Sequence, residues 1–220
     1  MGVKPQDNVT DDDFSNNYPW PYNRTEEKSE HAMEYFRMLS WEFGRNKARP
    51  LAETNWETPR MVSVLVVRHP LSRMLAGSAY MKDFPGIRDG TADEASWWRF
   101  AKEKRQDNFA LSYLLYRQQG SGEVTIDHLN AAKDLVRRFT FILDLDCLGE
   151  SIAALADVLN ITHGEDRSKT IPHRPPRERI PFPEVYEYLV QRNYYDIELY
   201  EWSKNLSLVK CDELDDTKRR

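Results

Sequence analysis

The sequence predicts an α/β fold in which helices flank a parallel sheet. Two apolar runs carry that prediction: "VSVLVV" at 62–67 and "FTFIL" at 139–143. Both are short, rich in β-branched or aromatic residues and free of polar alternation, the pattern of strands buried on both faces. The third observation is that stretches of helical periodicity follow each run, as βα units require. Two strands are few for a stable sheet, so the sheet is expected to be incomplete.

The elements follow in order. Residues 1–26 are polar, with Pro and Asn clusters and "DDD", and read as a disordered or loosely docked tail. Ala32, Tyr35, Phe36, Leu39 and Phe43 repeat at helical spacing, and Gly44 ends that helix. Residues 45–60 connect to the first strand, 62–68. A helix follows, opened by Pro70 and carrying Leu71, Leu75 and Ala79. "DFPGIRDG" is a loop and "ADEASWWRFAKEK" a helix. In "DNFALSYLLYRQ" Asp107 or Asn108 caps a helix whose Leu111, Leu114 and Leu115 face inward. Gly120 and Gly122 interrupt the chain before a helix at Ile126–Arg138 and the second strand. Asp146 is expected to cap a helix with Leu148, Ile152, Leu155 and Leu159 on its inner face. Residues 160–182 read as a long Pro-, Arg- and His-rich loop. One last helix, about 183–206, buries Val185, Tyr188, Leu189, Tyr195, Leu199 and Trp202. The charged segment 209–220 closes the chain.

The first strand delivers Arg68 at its carboxyl end, immediately before a helix start. Open α/β sheets bind ligands at that edge, and helix amino ends favour anions. Arg68 and Arg73 offer planar donor forks suited to phosphate or sulfate. A structural arginine holding a loop carbonyl is the alternative reading of Arg68. Lys169, His173, Arg174, Arg177 and Arg179 form the densest basic patch, read either as an anion contact or as a solvated loop. Trp97 and Trp98 fit core packing or stacking on a sugar; His128 and His163 fit surface or capping roles.

A formal charge of -5 argues against general nucleic-acid binding. No apolar run approaches the ~18 residues of a membrane span, and the N-terminus is too polar for a signal peptide. Cys147 and Cys211 have no metal-ligand spacing and read as buried or free rather than paired. Asn-x-Ser/Thr sequons at Asn8, Asn23, Asn160 and Asn205 mildly favour the secretory pathway. No Gly-x-x-x-x-Gly-Lys-Ser/Thr motif occurs, which disfavours a P-loop kinase.

Four blocks resemble, in order, the membrane-bound carbohydrate sulfotransferases of the Golgi, most closely the heparan sulfate 6-O- and 2-O-type branch. "VLVVRHPLSRMLAGSAY" is similar to their 3′-phosphate-binding strand–helix segment, and "DNFALSYLL" to the segment that follows it. "AAKDLVRRFTFILDLDCLGESIAALADVL" resembles their helix–strand–helix with an acidic turn, and "YYDIELYEWSKNL" their closing helix. The blocks span roughly residues 62–208; with the polar segment 1–26 and the charged segment 209–220 set apart by composition, the chain divides into a 1–26 tail, a 27–208 domain and a 209–220 tail.

The resemblance implies a P-loop-kinase-like parallel sheet flanked by helices. It also implies transfer of a sulfuryl group from 3′-phosphoadenosine 5′-phosphosulfate, a co-substrate used without metal, to an anionic or neutral carbohydrate. Arg68 would hold the 3′-phosphate. Arg73 would be structural or a second nucleotide contact, Arg174 and Arg177 would close over the phosphates or contact an anionic acceptor, and Asn108 would touch the acceptor unless it serves only as a helix cap. No residue is assigned as the catalytic base.

Two departures stand out. The family's serine position is Ala76 here, and Ser78, two residues on, would be rotated by ~200° on an uninterrupted helix. The family's Lys-bearing phosphosulfate loop has no counterpart before Val62. The chain is therefore expected to be a fragment, its sheet incomplete at the N-terminus, or a divergent member without catalysis. In the first case the Golgi lumen and a signal anchor on a full-length form follow from the resemblance. In the second, the function becomes that of a non-catalytic nucleotide- or glycan-binding module.

Overall fold

The structure, a computed structural model, describes residues 56, 62–76, 82–103, 107–115, 117, 122–162 and 175–218. The amphipathic pattern at 27–43, Ser78, Lys169, His173 and Arg174 lie outside these residues. Contacts within the chain define two units: 1–61 with 113–118, and 62–112 with 119–220. The elements described below belong to the second, except the last two residues of helix 109–114, which fall in the first.

The chain is mixed α/β, with mostly helices around a two-stranded sheet. Strand β1, Val64–Val67, leads to a short helix α1, Pro70–Met74. Helices α2 (Glu94–Ala101), α3 (Phe109–Leu114) and α4 (Ile126–Val136) precede strand β2, Phe141–Asp144. A 3₁₀ turn, Leu145–Cys147, runs into α5, Leu148–Leu159. Then come α6 (Pro176–Arg179), α7 (Pro183–Arg192), α8 (Tyr194–Lys204) and α9 (Cys211–Lys218).

The two strands are parallel, as expected, with Val64 opposite Phe141 and Val67 opposite Asp144. Their start is pinned by reciprocal hydrogen bonds: Ser63 N donates to Thr140 Oγ1, and Thr140 N to Ser63 Oγ. On the other side of β2, the Leu208 amide donates to the Ile142 carbonyl at 2.8 Å. β2 is buried at Ile142, Leu143 and Asp144. β1 is not buried on both faces as its sequence predicts: Val64 is 39% and Val66 50% exposed. An apolar run specifies a strand that can be covered, not the element that covers it.

The core lies beside α1. Leu71, Met74 and Leu75 pack with Phe84 and Ile87, with Trp97, Phe100 and Ala101 of α2, and with Ile180, Val185 and Leu189 around α7. Trp97 is fully buried and meets Phe100 edge-on at 5.9 Å between centroids, so it serves packing. The loop feeding α2 turns at Gly86, where φ is +81° and a Cβ would stand 2.8 Å from the Ala92 nitrogen. Only glycine fits that turn.

Helix ends show the local chemistry. Pro70 occupies the first turn of α1 while His69 Nδ1 accepts from the Leu71 amide at 3.2 Å. His128 does the same for α4, accepting from Thr125 N at 3.0 Å, the capping role its sequence position allowed.

Four further expectations are corrected. The single helix at 183–206 is two, divided at Asn193, whose buried side chain bonds to Leu189 O and to Asn108 N. A short helix, α6, interrupts the predicted 160–182 loop. α5 buries Ser151 and Ala156 while Ile152 is 40% exposed, so its inner face is rotated from the leucine stripe. Cys147 and Cys211 are joined in a disulfide with a Cα–Cα distance of 5.5 Å. Nothing in the local sequence signals that pairing, because β2 and α8 bring the two together from 64 residues apart.

Candidate functional site

The carboxyl ends of β1 and β2 meet one face of α8. β1 contributes Arg68 and His69, β2 and its turn contribute Asp144 and Asp146, and α8 contributes Asp196, Tyr200 and Lys204. The last three are four residues apart, which places them on one side of the helix, one above another.

Asp144 is 1% exposed and ends the sheet. Its Oδ1 accepts from the Asp146 amide at 3.1 Å, which caps the 3₁₀ turn. Asp144, not Asp146, is therefore the acidic cap at this corner. The Tyr200 hydroxyl lies 3.1 Å from Asp144 Oδ2 and 3.3 Å from Asp146 Oδ2, and donates its single proton between them. Burial pushes the Asp144 carboxyl above the usual range, and the neighbouring Asp146 charge adds to that. Burial, then the charges of Asp144 and Asp146, pushes the Tyr200 phenol well above its ordinary value. Tyr200 is thus a fixed donor rather than a base. Its ring stands edge-on to His69, centroids 5.4 Å apart, tying β1's exit to α8.

Lys204 lies 2.9 Å from Asp212 of α9. Burial alone would lower its ammonium; the Asp212 hydrogen bond and the charges of Glu201, Asp212 and Asp144 outweigh it and raise the value.

Arg68 sits at the carboxyl end of β1, where the sequence places it. Its Nε is buried and has no hydrogen-bond partner among the described residues. Burial lowers its otherwise very high pKa, and the Asp146 charge offsets part of that. A half-buried guanidinium beside a single exposed carboxylate retains donor capacity for an oxyanion.

The other predicted residues fall elsewhere. Arg73 stacks its guanidinium 3.9 Å from the Phe109 ring centroid and lends its charge to Asp196. Asn108 is buried at φ +41°; its Nδ2 donates to Arg192 O and its Oδ1 accepts from Asp196 N. Asp196 in turn accepts from the amides of Ala110 and Leu111, each at 2.8 Å. The acid that caps α3 thus comes from α8, not from the local Asp107–Asn108 pair; Asp107 pairs with Arg192. Arg73 and Asn108 meet at Asp196, one turn along α8 from the Tyr200 cluster. Arg177 bonds to Glu187 at 3.3 Å and stacks over Tyr186, joining α6 to α7. Arg179 donates to Leu75 O at 2.8 Å and satisfies the end of α1.

Among the described residues no group of three or more His, Cys, Asp or Glu is arranged to hold a metal. No described helix is long and apolar enough to cross a membrane. Compared with known proteins, the chain matches no family model, no curated protein and no solved structure.

Proposed function

We propose that residues 62–208 form a sulfotransferase-type domain that holds 3′-phosphoadenosine 5′-phosphosulfate through its 3′-phosphate at Arg68 and serves a carbohydrate acceptor. The observation that carries this reading is the Arg68 guanidinium, half-buried at the carboxyl end of a parallel strand with its Nε lacking a partner among the described residues. A buried donor without an acceptor is costly, and a phosphate oxygen supplies the missing bond. The order of the four sequence blocks selects the sulfonucleotide over other anions. The Cys147–Cys211 disulfide supports an oxidising lumen such as the Golgi. Arg68 contributes ground-state binding, which by itself lowers no chemical barrier. A second reading is a nucleotide- or glycan-binding module without turnover, which the same Arg68 donor would serve.

Titration calorimetry with adenosine 3′,5′-bisphosphate tests the site. Arg68→Ala is expected to weaken binding by about 1.5–3 kcal/mol, roughly 10- to 150-fold. Asp146→Asn is expected to strengthen it several-fold, because it removes the carboxylate that competes for Arg68. Equal affinities for all three proteins would overturn the assignment. A radiolabelled-sulfate assay then separates the readings: binding with turnover supports the transferase, and binding without it the module.

A further inference from the structure

We propose that Asn160 is an N-glycan acceptor, an inference resting on the sequon and the disulfide, independently of the anion site. Asn160, Ile161 and Thr162 form an Asn-x-Thr sequon at the carboxyl end of the twelve-residue α5. All three residues are exposed. Asn160 holds the left-handed conformation, φ +51°, that ends the helix, a conformation asparagine tolerates well. Its backbone amide closes the helix on Ala156 O and Asp157 O, while its side-chain amide makes no hydrogen bond among the described residues. Helix termination therefore uses the main chain and leaves Nδ2 presented to solvent.

The disulfide is the second, independent observation. A disulfide closing a long loop persists in the oxidising compartments where asparagine glycosylation occurs. In the reaction, Nδ2 attacks the anomeric carbon of a lipid-pyrophosphate-linked oligosaccharide. The N–C bond forms, the C–O bond to pyrophosphate breaks, the lipid pyrophosphate leaves, and one Nδ2 proton passes to solvent. No change of oxidation state is involved. The flanking Val158 and Ile161 are each 57% exposed, and a saccharide at Asn160 would cover them.

The other sequon among the described residues, Asn205-Leu206-Ser207, differs. Asn205 Nδ2 donates to Glu201 O at 3.4 Å. The Ser207 hydroxyl is buried and bonded to Lys204 O and Val209 O at 2.7 and 2.9 Å. A motif whose hydroxyl is engaged in the fold is a poorer acceptor than one wholly in solvent.

The test is secretion of the full chain behind a cleavable signal peptide from cultured eukaryotic cells. Glycan release by peptide N-glycosidase in heavy-oxygen water, followed by peptide mass mapping, reads each site. The expected result is a heavy-oxygen aspartate at position 160 in most of the secreted protein, and a lower occupancy at 205. Thr162→Ala, which leaves the helix-ending asparagine in place, should abolish the signal at 160 alone. A secreted, disulfide-bonded protein with an unmodified Asn160 would overturn the proposal, as would persistence of the signal in Thr162→Ala.

Discussion

Replacing both Cys147 and Cys211 with serine is expected to lower the stability of the fold by about 4 kcal/mol. The bond closes a loop across 64 residues, and removing it restores to the unfolded chain the conformational entropy of that loop. The loop contains α5, α6, α7 and α8, and hence Asp196, Tyr200 and Lys204, so the loss falls on the candidate site as well as on the fold. Domains of this size hold only about 5–15 kcal/mol in all. The check is a denaturant titration of wild type and double variant, each with and without reductant. Reductant should move the wild-type midpoint to that of the variant and leave the variant unmoved. Coincident midpoints without reductant would show that the pair contributes nothing.

The second large effect belongs to Asp196. Asp196→Ala is expected to cost about 3–6 kcal/mol, since it removes two hydrogen bonds to a carboxylate worth about 1.5–3 kcal/mol each. The amides of Ala110 and Leu111 would lose their acceptor, and Leu111 is fully buried. The same residue sets a pH dependence. Burial pushes its carboxyl up to about 6, against the two amides and the Arg73 charge, which pull it down. The folded state therefore binds a proton more tightly than the unfolded chain does. This group's contribution is full below pH ~4 and is lost as pH rises through about 6, a fall of about 3 kcal/mol. Carbon-13 NMR of the aspartate carboxyls should show one resonance titrating near 6, absent in Asp196→Asn. A midpoint below 4 would mean that the amides outweigh burial.

Local signals carried the strands, the placement of Arg68 and the Pro70 helix start, because each depends on neighbours in sequence. Burial of β1, the break at Asn193 and the cap of α3 depend on partners far along the chain. Asn193 carries no Gly or Pro signal; it ends α7 because its side chain is bonded to Leu189 and to the Asn108 amide. Asp107 and Asn108 satisfy the usual capping pattern, yet Asp196, 86 residues from Ala110, does the capping. The α8 block did hold a readable sign: Asp196, Tyr200 and Lys204 recur every four residues on one side. Polar residues at helical spacing are ordinarily assigned to solvent, and here that assumption hid the side that faces β2 and α3.

The bond between Cys147 and Cys211 also governs how the chain responds to tension. A pull on its two ends passes along the backbone to Cys147, crosses the sulfurs and leaves at Cys211, so everything between is bypassed. Stretched to its limit at ~3.5 Å per residue, the oxidised chain should be roughly 220 Å shorter than the reduced one. Optical-tweezer extension with and without reductant would read that difference directly. In the oxidised chain α8, with Asp196, Tyr200 and Lys204, would then never bear the load.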